Sequence, residues 1–148
     1  VGYGGGEPEA EWNVRASIAA GKRLMESGAN IMLAPLDITD HVIIPDDYLT
    51  AIAMRNTPLT EALGSLYALW YKHADWAVDA KMFDGVAVGM VLWPELFTTQ
   101  KAYVYVDDKG FTRVDNTKAP NCTYGVTIND KAFIDKMAYR ILHQDLHR

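Results

Sequence analysis

A short apolar run, NIMLAPL at residues 30–36, constrains the fold more than any other part of this sequence. Continuous rather than alternating apolar residues are typical of a strand buried on both faces of a parallel sheet. The run stops at a polar cluster, DITDH at 37–41. Ligands of open α/β sheets bind at the carboxyl ends of the strands, so a site is expected at this edge.

Helical patterns surround the predicted strand. Apolar residues at intervals of three and four predict amphipathic helices, and glycine or proline marks several of their ends. The predicted helices cover residues 9–27, 45–56, 57–74 and about 83–94, and a last one begins at an N-cap on Asp130.

The apolar period then changes from helical to extended. AYVYV at 102–106 and FTRV at 111–114 flank the turn DDKG, which predicts a β-hairpin. CTYGVTI at 122–128 predicts a further strand. We therefore expect an α/β protein with an open, mostly parallel sheet flanked by helices, an appended β-hairpin, and one domain over residues 1–148.

Composition excludes several classes of function. Apolar residues make up 49% and charged residues 22% of the 148, which is typical of a soluble globular protein. A net charge of −5 argues against nucleic-acid binding, and no apolar run approaches the roughly 20 residues of a membrane span. Because Cys122 is the single cysteine, no internal disulfide can form. We expect a cytoplasmic protein, with a secreted or periplasmic location left open as the alternative.

Two polar clusters are candidate binding residues. Glu11, Trp12 and Asn13 follow a glycine run at 4–6 and precede a helix. They could hold a ligand, or they could be surface residues in a first helical turn, where a carboxylate complements the helix dipole. Asp84 precedes the apolar stretch GVAVGMVLW and could be a helix N-cap or a metal ligand.

Other side chains are candidates with simpler interpretations. Asp37 and Asp40 are expected as caps or turn formers. His143 and His147 have zinc-binding spacing, but solvation on a charged terminal helix is the simpler interpretation. An aromatic group on the third helix is more typical of a helix core than of a base-stacking platform; it comprises Tyr67, Trp70 and Tyr71.

Taken in order, these motifs resemble the inosine-uridine preferring nucleoside hydrolase family. The similarity lies in GGG followed by AEWN, then APLDIT some twenty residues on, then MFDGVAV before PELF. The hairpin VDDKGFTRVD and the final helix also resemble the end of that family's sequences. The resemblance covers essentially the whole chain.

The resemblance implies a hydrolase that cleaves the N-glycosidic bond of ribonucleosides with the help of a calcium ion. It implies that Glu11 and Asn13 bond the ribose hydroxyls, that Trp12 packs against sugar and base, and that Asp84 binds calcium and ribose. Physical chemistry agrees: negative charge stabilises an oxocarbenium-like transition state. Calcium prefers oxygen ligands, and an amide can both donate to and accept from hydroxyls.

Departures from the family pattern limit what this chain can do. The family's aspartate-rich N-terminal motif, with the general base and most calcium ligands, is absent. We therefore interpret residues 1–148 as the C-terminal portion of a nucleoside-hydrolase-like domain, with no catalytic residue of its own. A missing N-terminal segment or a second chain would supply the rest, and we expect a homo-oligomer.

A second departure concerns the leaving base. Phe83 stands where many members carry a histidine that protonates the base. Activation would then come from Tyr67, Tyr71 or His73, or the base would leave unprotonated. Two other classes of function stay open: a non-catalytic module that binds ribose or nucleoside, and a structural subunit of a two-chain assembly.

Overall fold

The computed structural model describes residues 3–4, 7–73 and 79–144. Helices and short strands both occur along the chain, in runs of up to four of one kind. The helices are α1 Trp12–Ala16, α2 Ile18–Met25, α3 Leu36–Thr39, α4 Asp46–Met54, α5 Pro58–His73, α6 Phe83–Leu92 and α7 Asp130–His143, with a 3₁₀ turn at Pro94–Leu96. The strands are β1 Tyr3–Gly4, β2 Glu7–Pro8, β3 Ile31–Leu33, β4 Phe97–Ala102, β5 Val104–Val106, β6 Thr112–Val114 and β7 Cys122–Ile128.

The main sheet has the order β3-β7-β4. β3 runs parallel to β7, with Ile31 opposite Cys122 and Leu33 opposite Tyr124, whereas β4 runs antiparallel to β7. The predicted α/β class and the strand at 122–128 are confirmed. Within the described sheet, one pair is parallel and the other antiparallel.

The predicted strand at 30–36 is shorter than expected. Only Ile31–Leu33 is extended, because Leu36 already begins α3. Met32 is 44% exposed, so burial of this strand on both faces is wrong for the chain as it stands. The parallel direction inferred from the apolar run is confirmed.

The single helix predicted for 9–27 is wrong, since Ser17 separates two helices. Ser17 has φ −152° and ψ 82°, which is extended backbone, and α2 restarts at the next residue. The turn of the β-hairpin lies against this break: a Cβ on Gly110 would come within 3.4 Å of Arg15 Cα and Ile18 Cγ1. Despite the break, Ile18 and Met25 still pack in one cluster, as their spacing predicts.

Side-chain caps mark the starts of α5 and α7. Thr57 caps α5 as expected: its hydroxyl accepts from the Thr60 amide at 3.3 Å, and the Thr60 hydroxyl accepts from the Thr57 amide at 3.0 Å. The cap predicted on Asp130 is wrong. Asn129 caps α7 instead, its side-chain oxygen accepting from the Ala132 amide at 3.2 Å.

The predicted hairpin is confirmed as β5 and β6. One carboxylate organises its turn, since Asp107 Oδ1 accepts from the amides of Lys109 and Phe111, both at 2.9 Å. Gly110 follows at φ +86°, in the left-handed region that glycine adopts without strain.

One hydrophobic core lies between β7, α3, α6 and α7. Phe133 is fully buried at its centre, with the rings of Trp93 and Phe97 edge-on at 5.9 and 6.4 Å. Two glycines permit close packing: a Cβ on Gly89 would lie 2.4 Å from Phe133, and one on Gly125 would lie 2.3 Å from Ile38. The core therefore depends on the absence of side chains at these two positions.

A second core joins α2 to the hairpin. Its buried members are Met25, Ala102, Val104, Val106 and Cys122. Asn121 fixes this arrangement, because its amide nitrogen donates to the carbonyls of Met25 and Val104, both at 2.9 Å. Its side-chain oxygen accepts from the Val104 amide at 2.8 Å.

A polar contact ties α4 to α7. The Tyr48 hydroxyl donates to Asp135 Oδ1 at 2.5 Å, and Lys131 Nζ donates to Asp135 Oδ2 at 2.6 Å. Hydrogen bonds from Lys131 and then from Tyr48 hold the pKa of Asp135 below its ordinary value of 3.8. The folded state therefore favours the ionised carboxylate.

We predict that Gly125→Ala destabilises the fold by about 1–3 kcal/mol, because the new methyl group overlaps Ile38. Urea denaturation measures the change. Gly64→Ala in α5 is the matched control, since a Cβ there meets no atom within 4 Å. We expect the control to be neutral or to stabilise by up to about 1 kcal/mol; equal losses at both positions would contradict the close-packing account.

We predict that the stability of the Asp135→Asn variant falls less in acid than that of the unchanged protein. A carboxylate whose folded pKa is depressed stabilises the fold above its unfolded pKa, and this contribution disappears as pH falls below about 3.8. As pH is lowered from neutral to strong acid, the urea midpoint should therefore fall less steeply for Asp135→Asn than for the unchanged protein. Tyr48→Phe, which removes one of the two bonds, should give an intermediate slope; identical slopes for all three proteins would refute the contact.

Candidate functional site

Glu11 organises the candidate binding residues at the start of α1. Its Oε2 atom accepts from the Val14 amide at 3.0 Å, which makes Glu11 the N-cap of the helix. Its Oε1 atom accepts from the side-chain amide of Asn13 at 3.0 Å. The expectation that Glu11 sits within the first turn is therefore wrong, because it precedes the turn and closes it.

Trp12 lies between these two polar residues and is 71% exposed. The Arg15 guanidinium lies 5.2 Å from the centre of its ring, within cation–π distance. Sequence reasoning missed this contact, although residues three apart on a helix are neighbours. The stacked cation holds a large aromatic face at the surface beside a carboxylate and an amide.

Asp84 is exposed in the first turn of α6. The alternative that Asp84 caps this helix is wrong: α6 begins at Phe83, and the cap position is Met82, which makes no side-chain cap bond. The Asp84 carboxylate therefore does not close the helix. The proximity of Asp84 to Glu11 and Asn13 stays a prediction.

The described residues alone do not fit a calcium ion. Across 3–4, 7–73 and 79–144, no group of three or more His, Cys, Asp or Glu side chains could hold a metal. Calcium takes six to eight oxygen ligands, and one carboxylate supplies two at most. A single carboxylate such as Asp84 therefore supplies too few ligands for the ion.

The LDIT segment forms α3 and packs inward. Ile38 is 1% and Thr39 is 3% exposed, so both of these side chains are buried in the core. Asp40 ends the helix and accepts from Lys81 Nζ at 2.7 Å, which links α3 to the segment before α6. This packing agrees with a mainly structural role for LDIT.

The aromatic group of α5 is only partly exposed, since Tyr67 and Trp70 are half-buried. The Tyr67 ring is 5.8 Å from Trp70 and 6.2 Å from Tyr71, centre to centre. Tyr71 is 56% exposed, so its assignment to a helix core is wrong. His73 is exposed at the end of the helix.

Other candidates are placed only in part. Gly5 and Gly6 of the glycine run, like His147, lie outside the described residues. His143 Nδ1 lies 2.9 Å from the Tyr139 carbonyl, and the two rings stack at 4.1 Å. No helix in the described part of the chain is long and apolar enough to span a membrane.

We predict that Glu11→Ala loosens α1, whereas Glu11→Gln does not. Alanine removes the acceptor of the Val14 amide, which costs about 1 kcal/mol for an N-cap, while glutamine keeps an acceptor oxygen. Hydrogen exchange at the Val14 amide measures this, with about a five-fold loss of protection expected for Glu11→Ala. Equal protection in both variants would show that the cap contributes nothing.

Comparison with known proteins gives one family. The family model described as "Inosine-uridine preferring nucleoside hydrolase" matches residues 2–135. The pyrimidine-specific ribonucleoside hydrolase RihA of Klebsiella pneumoniae is 28% identical, over 95% of this chain and 50% of the relative. The non-specific ribonucleoside hydrolase RihC of Salmonella schwarzengrund is 30% identical, over 74% of this chain and 35% of the relative.

Solved structures give the same fold. A purine-preferring ribonucleoside hydrolase from Gardnerella vaginalis superposes with a TM-score of 0.79 at 22% identity, over 95% of this chain and 48% of that one. An inosine-uridine preferring nucleoside hydrolase from Bacillus anthracis gives 0.73 at 22% identity, over 94% and 45%. The chain thus spans about half the length of the curated relatives and structures that it matches.

Proposed function

Because the chain belongs to the inosine-uridine preferring nucleoside hydrolase family, we propose that it forms the C-terminal portion of an enzyme that hydrolyses the N-glycosidic bond of ribonucleosides, giving base and ribose. The names of the relatives reported above support this substrate class, since they are ribonucleoside or nucleoside hydrolases. Those names differ in base, from pyrimidine-specific to purine-preferring. The proposal therefore covers ribonucleosides as a class rather than one base.

The observation that supports this function best is the bonded pair of Glu11 and Asn13 beside the exposed ring of Trp12. A ribose diol needs hydrogen-bond acceptors and a donor at fixed spacing, which a carboxylate and an amide supply together. The ring of Trp12 offers an apolar face for the sugar and the base. In the transition state, the Glu11 carboxylate also stabilises the positive charge of the oxocarbenium-like sugar.

We propose calcium as the metal of the assembled site, in line with the general use of calcium in this family. When bound, a calcium ion would supply a hard cation able to orient a water molecule and make it more acidic. Asp84 would be one of its ligands and would also contact the ribose. The general base and the remaining ligands would come from a segment outside this chain.

Protonation of the leaving base requires a group other than Phe83, which has no proton to give. Tyr67, Tyr71 and His73 are candidates because each carries a proton to give: the two tyrosine rings are neighbours on α5, and His73 ends that helix. Departure of an unprotonated base is the alternative. Replacing each candidate singly and measuring hydrolysis of inosine against uridine separates these routes.

A second candidate function is a ribose- or nucleoside-binding module without hydrolysis. It is favoured by the absence, within the described residues, of a group of side chains able to hold a metal. Calorimetry with inosine, with and without calcium, discriminates between the two. Binding that is independent of calcium, together with no release of ribose, would favour the module.

The direct test is an assay of the intact gene product with inosine and uridine. Release of ribose that depends on calcium and stops with a chelator is expected. Binding of either nucleoside without any hydrolysis would overturn the enzymatic proposal.

We predict that Asn13→Ala in the intact gene product weakens ribose binding by about 1–3 kcal/mol, because one ribose hydroxyl loses its partner. Titration calorimetry with ribose measures the change. Asn116→Ala, in the exposed loop after β6, is the matched control and should bind ribose normally. Equal affinities for the two variants would remove Asn13 from the site.

We predict that Asp84→Ala abolishes hydrolysis and raises the calcium concentration needed for binding. Asp46→Ala is the matched control, because Asp46 occupies the first turn of α4 as Asp84 does in α6. The control separates loss of a helix-dipole interaction, worth about 0.3–1 kcal/mol, from loss of a metal ligand. If Asp84→Ala kept full turnover and calcium affinity, the metal assignment would be wrong.

A further inference from the structure

A charged side chain, rather than the core, orients the ring of Trp12. α1 buries none of its five residues, and Trp12 is 71% exposed. The guanidinium carbon of Arg15 lies over the indole, 5.2 Å from its centre. A cation in this position is attracted to the π electrons of the ring. Arg15 therefore sets the orientation of an indole that core packing does not hold.

The guanidinium of Arg15 forms no ion pair within the described part of the chain. Glu11 precedes it by four residues, which is the spacing of an ion pair on a helix. The two oxygens of Glu11 instead accept from the Val14 amide and from the Asn13 side chain. The charge of Arg15 is thus left for the ring of Trp12.

The backbone of Arg15 is held from two sides. Its amide donates to the Glu11 carbonyl at 2.8 Å. On the other side, its Cα lies 3.4 Å from the position of a Cβ on Gly110, in the turn of the hairpin. Asp107 closes that turn by accepting from two backbone amides. The arginine therefore extends from a fixed base toward the ring.

Other cations in the described ranges lie over aromatic rings in a different setting. Each of three such cations is paired with a carboxylate, and each of their rings is half-buried, so these contacts belong to the packing of the fold. The sets are Arg113 with Asp107 and Phe111, Lys118 with Asp115 and Tyr103, and Lys136 with Glu95 and Trp93. Arg15 and Trp12 combine a cation without an ion pair and an open ring.

The open ring has a definite use beside a sugar-binding pair. The cation covers one face of the indole, and the 71% exposure of Trp12 leaves the opposite face accessible. A nucleoside base is flat and stacks on such a face. The two fused rings of a purine overlap an indole more than the single ring of a pyrimidine does, and ribose has no ring of this kind.

We propose that Arg15 is a positioning residue for the nucleoside base. It holds the Trp12 ring so that the open face stacks on the base, and it contributes more to the binding of a purine than of a pyrimidine nucleoside. This role rests on the proposed function. Because the ring is oriented before the ligand arrives, less conformational entropy is lost on binding.

The first measurement follows the ring in the intact gene product labelled with 5-fluorotryptophan. The fluorine signal that is absent from Trp12→Phe belongs to Trp12. Arg15→Met keeps a long side chain but removes the charge, so it should shift this signal. Arg15→Lys keeps a cation and should shift it less. Arg23→Met, at an exposed arginine of α2, is the matched control and should leave the signal in place.

The second measurement is the affinity of the same variants for inosine, uridine and ribose. The calorimetric Kd is used for ribose, and for each nucleoside the KM where ribose is released or the Kd where it is not. Arg15→Met should weaken the binding of inosine by about two- to five-fold, that of uridine by less, and that of ribose not at all. Arg15→Lys should give intermediate values. Where turnover occurs, kcat should stay near that of the unchanged protein, because the stacking is made equally before and in the transition state.

Several outcomes would overturn this role of Arg15. They are an unshifted Trp12 signal in Arg15→Met, a loss of affinity for uridine or ribose as large as that for inosine, and the same losses in Arg23→Met. A merely structural role would weaken all three ligands alike.

The proposed hydrolysis fails separately. If the unchanged protein binds inosine but releases no ribose, the enzymatic proposal is wrong, while the Kd values still measure what Arg15 contributes. If it releases ribose and Arg15→Met behaves as the unchanged protein does, only the role of Arg15 is wrong. Absence of any nucleoside binding would overturn both.

Discussion

The close approach of Ile38 to Gly125 determines how the layers of this molecule meet. A Cβ atom at residue 125 would lie 2.3 Å from the Ile38 Cδ1 methyl group. Helix α3 can therefore pack on β7 only because residue 125 is a glycine. β7 is in turn the central strand, between β3 and β4. The same small region contacts Met90 of α6, 3.4 Å from the Gly125 Cβ position. The sheet, α3 and α6 thus meet around Gly125. The position of Asp84, at the start of α6, depends on this packing.

The sequence predicted the elements whose cause is local. Turn chemistry identified the hairpin around Gly110, and the Thr57-Pro58 pair identified the start of α5. The break at Ser17 could not be predicted, because Arg15 and Ile18 lie against a hairpin turn that is some ninety residues distant in sequence. Long-range packing, rather than propensity, overrides the helical period at that point.

The candidate site was predictable in its residue types but not in its local geometry. Glu11, Trp12 and Asn13 lie together at the start of α1, where Glu11 is an N-cap as well as a proposed sugar ligand. One carboxylate oxygen holds the Val14 amide and the other holds the Asn13 amide. The capped helix thereby orients the proposed ribose-binding amide before any ligand arrives, which lowers the entropic cost of binding.

Asn121 imposes a chemical constraint on how this chain can be modified. Asn121, Cys122 and Thr123 form the acceptor triplet for N-linked glycosylation. Both hydrogens of the Asn121 amide are already donated, one to Met25 and one to Val104. A sugar on that nitrogen would remove one of these bonds, so glycosylation of this asparagine would weaken the contact between α2 and β5.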